Sequence, residues 1–184
     1  MRISVLGAGS WGTALAIILN NNGHDVTLWE FKKEYVKGLI KHRENKIFLP
    51  DISIPQDILI THSLELASNN QHMIIIAIPT QFVRSVLQKM KKFSFKNTTF
   101  VSVAKGIEKE TLITVNHIIA EELSIDPDNI AVLSGPSHAE EVSRKIPTAV
   151  VAASSNLNTA KDVQAAFMTS YFRVYSSTDI VGVE

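Results

Sequence analysis

The chain has 184 residues, 45% of them hydrophobic and 20% charged, and its 18 basic and 18 acidic side chains cancel. That length suits one sizeable core and is short for two full domains, and the balanced charge offers no field to attract nucleic acid or an anionic membrane. The absence of cysteine excludes disulfides, thiol nucleophiles and thiolate metal sites, and fits a cytoplasmic protein.

The first element carries the most information. A short apolar run, Ile3 to Leu6, leads into Gly7-x-Gly9-x-x-Gly12 and then into a helical stretch over Thr13–Asn22. This is the order of a dinucleotide-binding βα turn. Gly7 allows the tight turn after the strand, Gly9 leaves room for a pyrophosphate, and Gly12 lets the helix pack close to the strand. The diphosphate would rest on free N–H groups at the helix start, where the helix dipole favours negative charge. Residues 2–20 are basic then apolar, as a secretory signal is, but three glycines in six positions interrupt the run. The strand–turn–helix reading is therefore preferred.

The second run, Asp25–Glu30, ends on a carboxylate 18 positions after Gly12. The dinucleotide fingerprint places an acid about 20 residues on, where it accepts hydrogen bonds from the adenosine ribose. Glu30 reads either as that acid or as a solvated residue after a strand, and this spacing favours the ribose role. Phe31 follows the same strand tip, as Phe82 follows a later one. Taken alone, each reads as a core residue; at a strand tip, each could flank a base or a ribose.

A helix is predicted over Lys33–Lys41, then a loop over Asn45–Pro55, which holds two prolines and shows no clear period. Strands are predicted at Ile58–Thr61 and at Met73–Ile78, the latter apolar at every position as in a strand covered on both faces. Pro79 ends it, and Thr80 is placed to cap a helix over Phe82–Met90. The strand Thr99–Val103 runs into Lys105 and Gly106, where a lysine can pair with a phosphate or a carbonyl oxygen, or can simply face solvent. A helix over Leu112–Leu123, a turn at Asp126–Asn129 and a strand at Ile130–Leu133 follow. Next comes Ser134-Gly135-Pro136-Ser137, with Ser137 placed to cap a helix over His138–Arg144. Strands at Ala149–Ala153 and Phe172–Tyr175 flank a weaker helix over Thr159–Met168.

This alternation predicts an α/β fold: a doubly wound, mostly parallel Rossmann sheet with helices on both faces, forming one domain over residues 1–184. No apolar run approaches the length of a membrane span. The six histidines show no HxH or HExxH spacing, so no metal site is expected.

Five blocks occur in order: Gly7-Ala-Gly-Ser-Trp-Gly-Thr-Ala14, Asn45-x-x-x-Leu49-Pro50 with Pro55, Ala77-x-Pro79-x-Gln81-Phe82, Ala104-Lys105-Gly106-Ile107-Glu108, and Ser134-Gly135-Pro136-Ser137-x-Ala139. Together they resemble the NAD(P)-dependent glycerol-3-phosphate dehydrogenases of the bacterial type. The resemblance implies reduction of dihydroxyacetone phosphate to sn-glycerol 3-phosphate, feeding phospholipid synthesis. It implies that Ser10 and Trp11 touch the cofactor diphosphate, that Phe31 and Lys32 lie near its adenosine end, and that Phe82 lies near its middle. Lys105 would contact cofactor and substrate, Gly135 and Ser137 would line the substrate site, and Ala139 would meet the cofactor again. It also implies a homodimer and a helical second domain carrying the catalytic lysine, which is expected beyond Glu184. No catalytic residue is then expected within this chain, which should bind a dinucleotide, turn over little and self-associate through the uncovered face. Glu30 would repel a 2′-phosphate and leans the choice to NAD, whereas Lys32 and Lys33 lean it to NADP; NAD is slightly preferred. Two other readings stay open: a hydroxy-acid dehydrogenase of similar fold, and a non-catalytic dinucleotide-binding module.

Overall fold

In a computed structural model that describes residues 1–184, the chain first runs through β1 (Arg2–Leu6), α1 (Ser10–Asn21), β2 (Asp25–Trp29) and α2 (Lys33–His42). Then come β3 (Glu44–Asn45), β4 (Leu49–Ser53), β5 (Leu59–Thr61), α3 (Leu64–Ser68), β6 (Met73–Ile76) and α4 (Thr80–Met90). The remainder is β7 (Thr99–Ser102), α5 (Val115–Leu123), β8 (Ile130–Ser134), α6 (Ala139–Ser143), β9 (Thr148–Ala153), α7 (Leu157–Phe167), β10 (Phe172–Ser177) and α8 (Ile180–Val183). No helix is long and apolar enough to cross a membrane.

Eight strands form one sheet in the order β10-β9-β8-β7-β6-β1-β2-β5. From β5 to β8 every pairing is parallel. The chain moves outward from β1 through β2 to β5, then returns to the other side of β1 and moves outward through β6, β7 and β8. That reversal opens a crevice beyond the carboxyl ends of β1 and β6, where doubly wound sheets bind ligands. All eight predicted strands are present. The departure from parallel order is β9, which runs antiparallel to β8, while β10 runs parallel to β9.

The two faces of the sheet are covered separately, as the unbroken apolar strands require. Met73 and Ile75 of β6 point to the face packed by Leu15, Ile18 and Leu19 of α1 and by Val163 and Phe167 of α7. Ile74 and Ile76 point to the opposite face, packed by Val83, Leu87 and Met90 of α4 and by Ile118 and Ile119 of α5. The period-2 alternation of a strand thus meets the helical stripe Val83, Val86, Leu87 and Met90.

Several local expectations need correction. The predicted loop at Asn45–Pro55 contains the antiparallel pair β3–β4, broken by a register shift at Glu44/Asn45. It is ordered by the buried side chains of Asn45, Leu49 and Ile54, which follow no regular period. The helix predicted from Leu112 starts at Val115, because Leu112 has a left-handed backbone (φ 58°) and its N–H donates to the Glu108 carbonyl instead. Thr80 is not a cap: Pro79 holds that position, and the Thr80 hydroxyl donates to the Lys105 carbonyl at 2.9 Å. Ser137 is not a cap either: His138 precedes the five-residue α6, and the Ser137 hydroxyl donates to the Gly135 carbonyl at 3.3 Å. The short α3, capped by Ser63, had no apolar period long enough to reveal it.

Candidate functional site

The glycine turn is closed by contact, not only by conformation. Gly7 has φ +113°, and a Cβ there would lie 2.5 Å from the Ala77 carbonyl oxygen. A Cβ on Gly12 would lie 1.9 Å from the Gly7 carbonyl oxygen. Gly9 is different, since a Cβ there would meet nothing within 4 Å. Two glycines therefore let β1, α1 and the tip of β6 approach one another, and the third keeps open the space in front of the turn. Behind that space lies the start of α1. Gly9 provides no side-chain cap, and the first turn carries no acidic residue. The N–H groups of Ser10, Trp11 and Gly12 thus lack intrahelical partners and add to the positive end of the helix dipole.

Asn45 ties this turn to the β3–β4 hairpin. Its side chain is fully buried. Its amide N–H groups donate to the Ala8 carbonyl at 2.9 Å and to Thr13 Oγ1 at 2.8 Å, and its Oδ1 accepts from Phe48 N–H at 3.1 Å and from the Tyr35 hydroxyl. Burial and the nearby Glu30 carboxylate push the Tyr35 hydroxyl up to about 12. It therefore stays protonated as a donor. Asn45 opens the Asn45-x-x-x-Leu49-Pro50 block, but a lone asparagine in an apparently irregular segment gives no signal of this role.

Glu30 sits at the tip of β2 and is buried, so the reading of it as a solvated residue is set aside. One carboxylate oxygen accepts from Lys32 N–H at 3.1 Å. Phe31 and Phe82 are exposed, at 66% and 62%, which overturns the reading of either as core. The Lys32 ammonium lies 5.4 Å from the centre of the Phe31 ring. Trp11 is partly buried against Phe172, with ring centroids 6.3 Å apart, and against Ala14, Leu49 and Ala139. Ala139 thereby brings α6 beside the start of α1.

Lys105 follows β7, and Gly135 and Ser137 follow β8. The exposed Lys105 ammonium lies 3.4 Å from the Gly135 carbonyl oxygen, so the two loops meet across the crevice. A Cβ on Gly135 would lie 2.9 Å from the Ala149 carbonyl oxygen, so this loop presses directly on β9. Gly7, Gly9, Ser10, Trp11, Gly12, Glu30, Phe31, Lys32, Phe82, Lys105, Gly135, Ser137 and Ala139 all lie on the loops or first helical turns that leave the carboxyl ends of β1, β2, β6, β7 and β8.

An ion network underpins the Lys105 loop. Arg84 of α4 holds Glu108 through Nε and Nη2 at 2.9 and 2.8 Å, and it reaches Glu121 and Glu122 of α5. Lys91 closes the network on Glu122 at 2.7 Å. The Arg84 guanidinium holds the Glu108 carboxyl below the usual carboxylate range, and Lys91 does the same for Glu122, with Arg84 adding to it. A carboxylate lowered in the fold stabilises it above the unfolded value, about 4.3. That stabilisation is lost as pH falls through the folded value. Replacing Arg84 by Met should therefore lower the melting temperature by several degrees at pH 7. That gap should narrow progressively once pH falls below the unfolded value and on through the lowered folded value. A gap independent of pH would show that the network contributes packing rather than charge pairing.

The family described as NAD-dependent glycerol-3-phosphate dehydrogenase N-terminus matches residues 2–160. A glycerol-3-phosphate dehydrogenase [NAD(P)+] of Thermoanaerobacter sp. (strain X514) is 50% identical over all of this chain and 54% of its own length. One from Fusobacterium nucleatum is 45% identical over all of this chain and 55% of its own length. The crystal structure of glycerol-3-phosphate dehydrogenase from Coxiella burnetii superposes with a TM-score of 0.93 at 34% identity, covering all of this chain and 55% of that one. The chain thus spans about half the length of the curated relatives it matches. With a match over residues 2–160 and the blocks around Gly7, Lys105 and Gly135 in place, the chain belongs to the family of NAD-dependent glycerol-3-phosphate dehydrogenase N-terminal domains.

Proposed function

We propose that residues 1–184 form the cofactor-binding domain of a cytoplasmic glycerol-3-phosphate dehydrogenase, which reduces dihydroxyacetone phosphate to sn-glycerol 3-phosphate with NADH or NADPH for glycerophospholipid synthesis. One observation carries the reading: the uncapped start of α1, free of acidic residues, faces the open space in front of Gly9. An anion there would be held by free backbone N–H groups and the positive end of the helix dipole.

When bound, the reduced nicotinamide supplies the hydride. The chain supplies the rest of the geometry. The Ser10, Trp11 and Gly12 N–H groups hold the diphosphate. Glu30 keeps one carboxylate oxygen for a ribose hydroxyl, and the exposed Phe31 ring flanks the base beside Lys32. Phe82 borders the middle of the cofactor, and Ala139 closes the turn from the far side. Lys105 balances charge on the phosphate or the carbonyl oxygen of the substrate, next to Gly135 and Ser137. The Glu30 carboxylate disfavours a 2′-phosphate, so NADH is expected to bind more tightly than NADPH, with Lys32 reducing the difference. Proton transfer falls to a lysine in the second half of the full-length enzyme, which acts as a homodimer.

The test joins this chain to the second half of the Thermoanaerobacter relative and follows NADH oxidation. Dihydroxyacetone phosphate should be reduced in preference to 2-oxo acids. A preference for 2-oxo acids would overturn the substrate assignment, and no turnover of either would favour a binding module. Lys105→Ala in the same fusion should lower kcat/KM for dihydroxyacetone phosphate by roughly 100-fold, the typical cost of removing a preorganised donor from a developing charge.

A further inference from the structure

Gln81, Arg84, Gln88 and Lys91 recur along α4 at spacings of three, four and three, which puts them on one side of the helix. Each side chain reaches out of the helix to a neighbour. Arg84, Gln88 and Lys91 all reach Glu122 of α5. Gln81 reaches the loop between β7 and α5 instead. Its Nε2 donates to the Ile107 carbonyl at 2.9 Å, and its Oε1 accepts from Lys109 N–H at 3.1 Å. One side-chain amide thus pairs with the loop backbone in both directions, as a neighbouring strand would.

That loop is held by side chains of α4 rather than by regular structure of its own. Residues 103–114 contain no helix or strand. The far half closes on itself, with Glu108 N–H donating to the Ile113 carbonyl and Leu112 N–H donating to the Glu108 carbonyl, both at 2.9 Å. Lys105 stands just before this closed half, next to Gly106, which has φ +96°. Its carbonyl is held by Thr80 of α4. Two residues later Gln81 takes hold, and Arg84, one turn further along the same helix face, takes Glu108. The backbone on the carboxyl side of Lys105 therefore cannot slide without breaking contacts to α4, and the Lys105 ammonium lies across the crevice, 3.4 Å from the Gly135 carbonyl oxygen.

We infer that Gln81 is a positioning residue for Lys105, acting through the Ile107–Lys109 backbone to fix the lysine ammonium in the crevice. The inference rests on the proposed reading of Lys105 as a cofactor and substrate contact. Gln81 is exposed. The loop groups it leaves behind can be hydrated, so its removal should loosen the loop locally rather than unfold the domain.

The test compares the 184-residue chain with Gln81→Ala and with Gln81→Met, which keeps the side-chain length but neither hydrogen bond. In the first arm, acetic anhydride labels the unliganded proteins, and mass spectrometry reads each lysine. Both variants should change the Lys105 labelling rate by about threefold or more, with lysines outside residues 105–109 unchanged and the melting temperature within roughly 2 °C. An unchanged Lys105 rate overturns the inference whether or not a dinucleotide binds.

In the second arm, NADH affinity is measured across the cycle of wild type, Gln81→Ala, Lys105→Ala and the double variant. Gln81→Ala should weaken binding about fivefold alone and less than about twofold in the Lys105→Ala background, because coupled residues are not additive. The same loss in both backgrounds overturns the inference. Failure of the wild-type chain to bind NADH would instead count against the proposed function and leave the labelling arm to decide on Gln81.

Discussion

Replacing Gly12 by Ala should unfold the glycine turn, whereas replacing Gly9 by Ala should leave the fold intact and remove the ligand. The two glycines are three residues apart in the same motif, and the structure separates their roles. A methyl group on Gly12 would sit 1.9 Å from the Gly7 carbonyl oxygen, which no side-chain adjustment can relieve. Either α1 must move away from β1 or the turn must open. Overpacking of this kind costs about 3 kcal/mol, which for a domain of this size lowers the melting temperature by roughly 6–12 °C. Gly9 has an ordinary backbone (φ −73°), and an added methyl would meet nothing within 4 Å. Gly9→Ala should therefore melt within about 1–2 °C of wild type, because a strain-free Gly→Ala change affects stability chiefly through the unfolded chain. The same methyl fills the space through which a diphosphate reaches the α1 N–H groups. Dinucleotide affinity should fall at least about tenfold, or about 1.4 kcal/mol. Melting curves and nucleotide titrations on the two variants read both effects. A Gly9→Ala protein that binds as well as wild type would place the ligand elsewhere.

Asn45 should prove nearly as sensitive, although it contacts no ligand. Replacing it by Leu keeps the branched side-chain outline, adds some volume and removes every hydrogen bond. The Ala8 carbonyl and Phe48 N–H then lose their side-chain partner, and the Tyr35 hydroxyl loses its acceptor. Each buried group left unpaired costs about 1–3 kcal/mol, so a total loss of about 3–5 kcal/mol is expected. Because Ala8 lies between Gly7 and Gly9, dinucleotide binding should weaken as well. Asn45→Asp gives a sharper result. Its new oxygen would face the Ala8 carbonyl, so the introduced carboxyl should titrate above its usual range. An acid raised in the fold stabilises it below the unfolded value, about 3.9, and that contribution is lost as pH rises through the folded value. The aspartate variant should therefore regain stability relative to wild type as pH is lowered from 7 to about 4. Denaturant melts at the two pH values check this, and a deficit that widens at low pH would contradict the assigned network.

The elements that could be read from the sequence are those whose cause is local and periodic. The apolar run Met73–Ile76 had to be a strand covered on both faces, and the stripe Val83, Val86, Leu87 and Met90 had to be a helix over it. The Gly7–Gly12 spacing and the distance to Glu30 placed the turn and the second strand tip. What stayed hidden depends on contacts between distant segments. Asn45 bonds to Ala8, 37 residues away, and Gln81 to Lys109, 28 residues away. Neither pairing leaves a periodic mark. Thr80 and Ser137 differ from their expected capping roles for a related reason. Each stands where a capping hydroxyl is common, but a carbonyl outside the helix takes the hydrogen bond instead. Phe31 and Phe82 were ambiguous because an aromatic residue after a strand is core or rim depending on which helix covers it, and here none does.

The most direct test of the glycine-turn reading is a calorimetric titration of the 184-residue chain with NADH and with NADPH, repeated on Gly9→Ala. The reading predicts one site per chain, binding at micromolar strength with NADH the tighter of the two, and a loss of at least about tenfold on adding the methyl group. Absence of heat with either nucleotide, or equal affinity in wild type and Gly9→Ala, would contradict it.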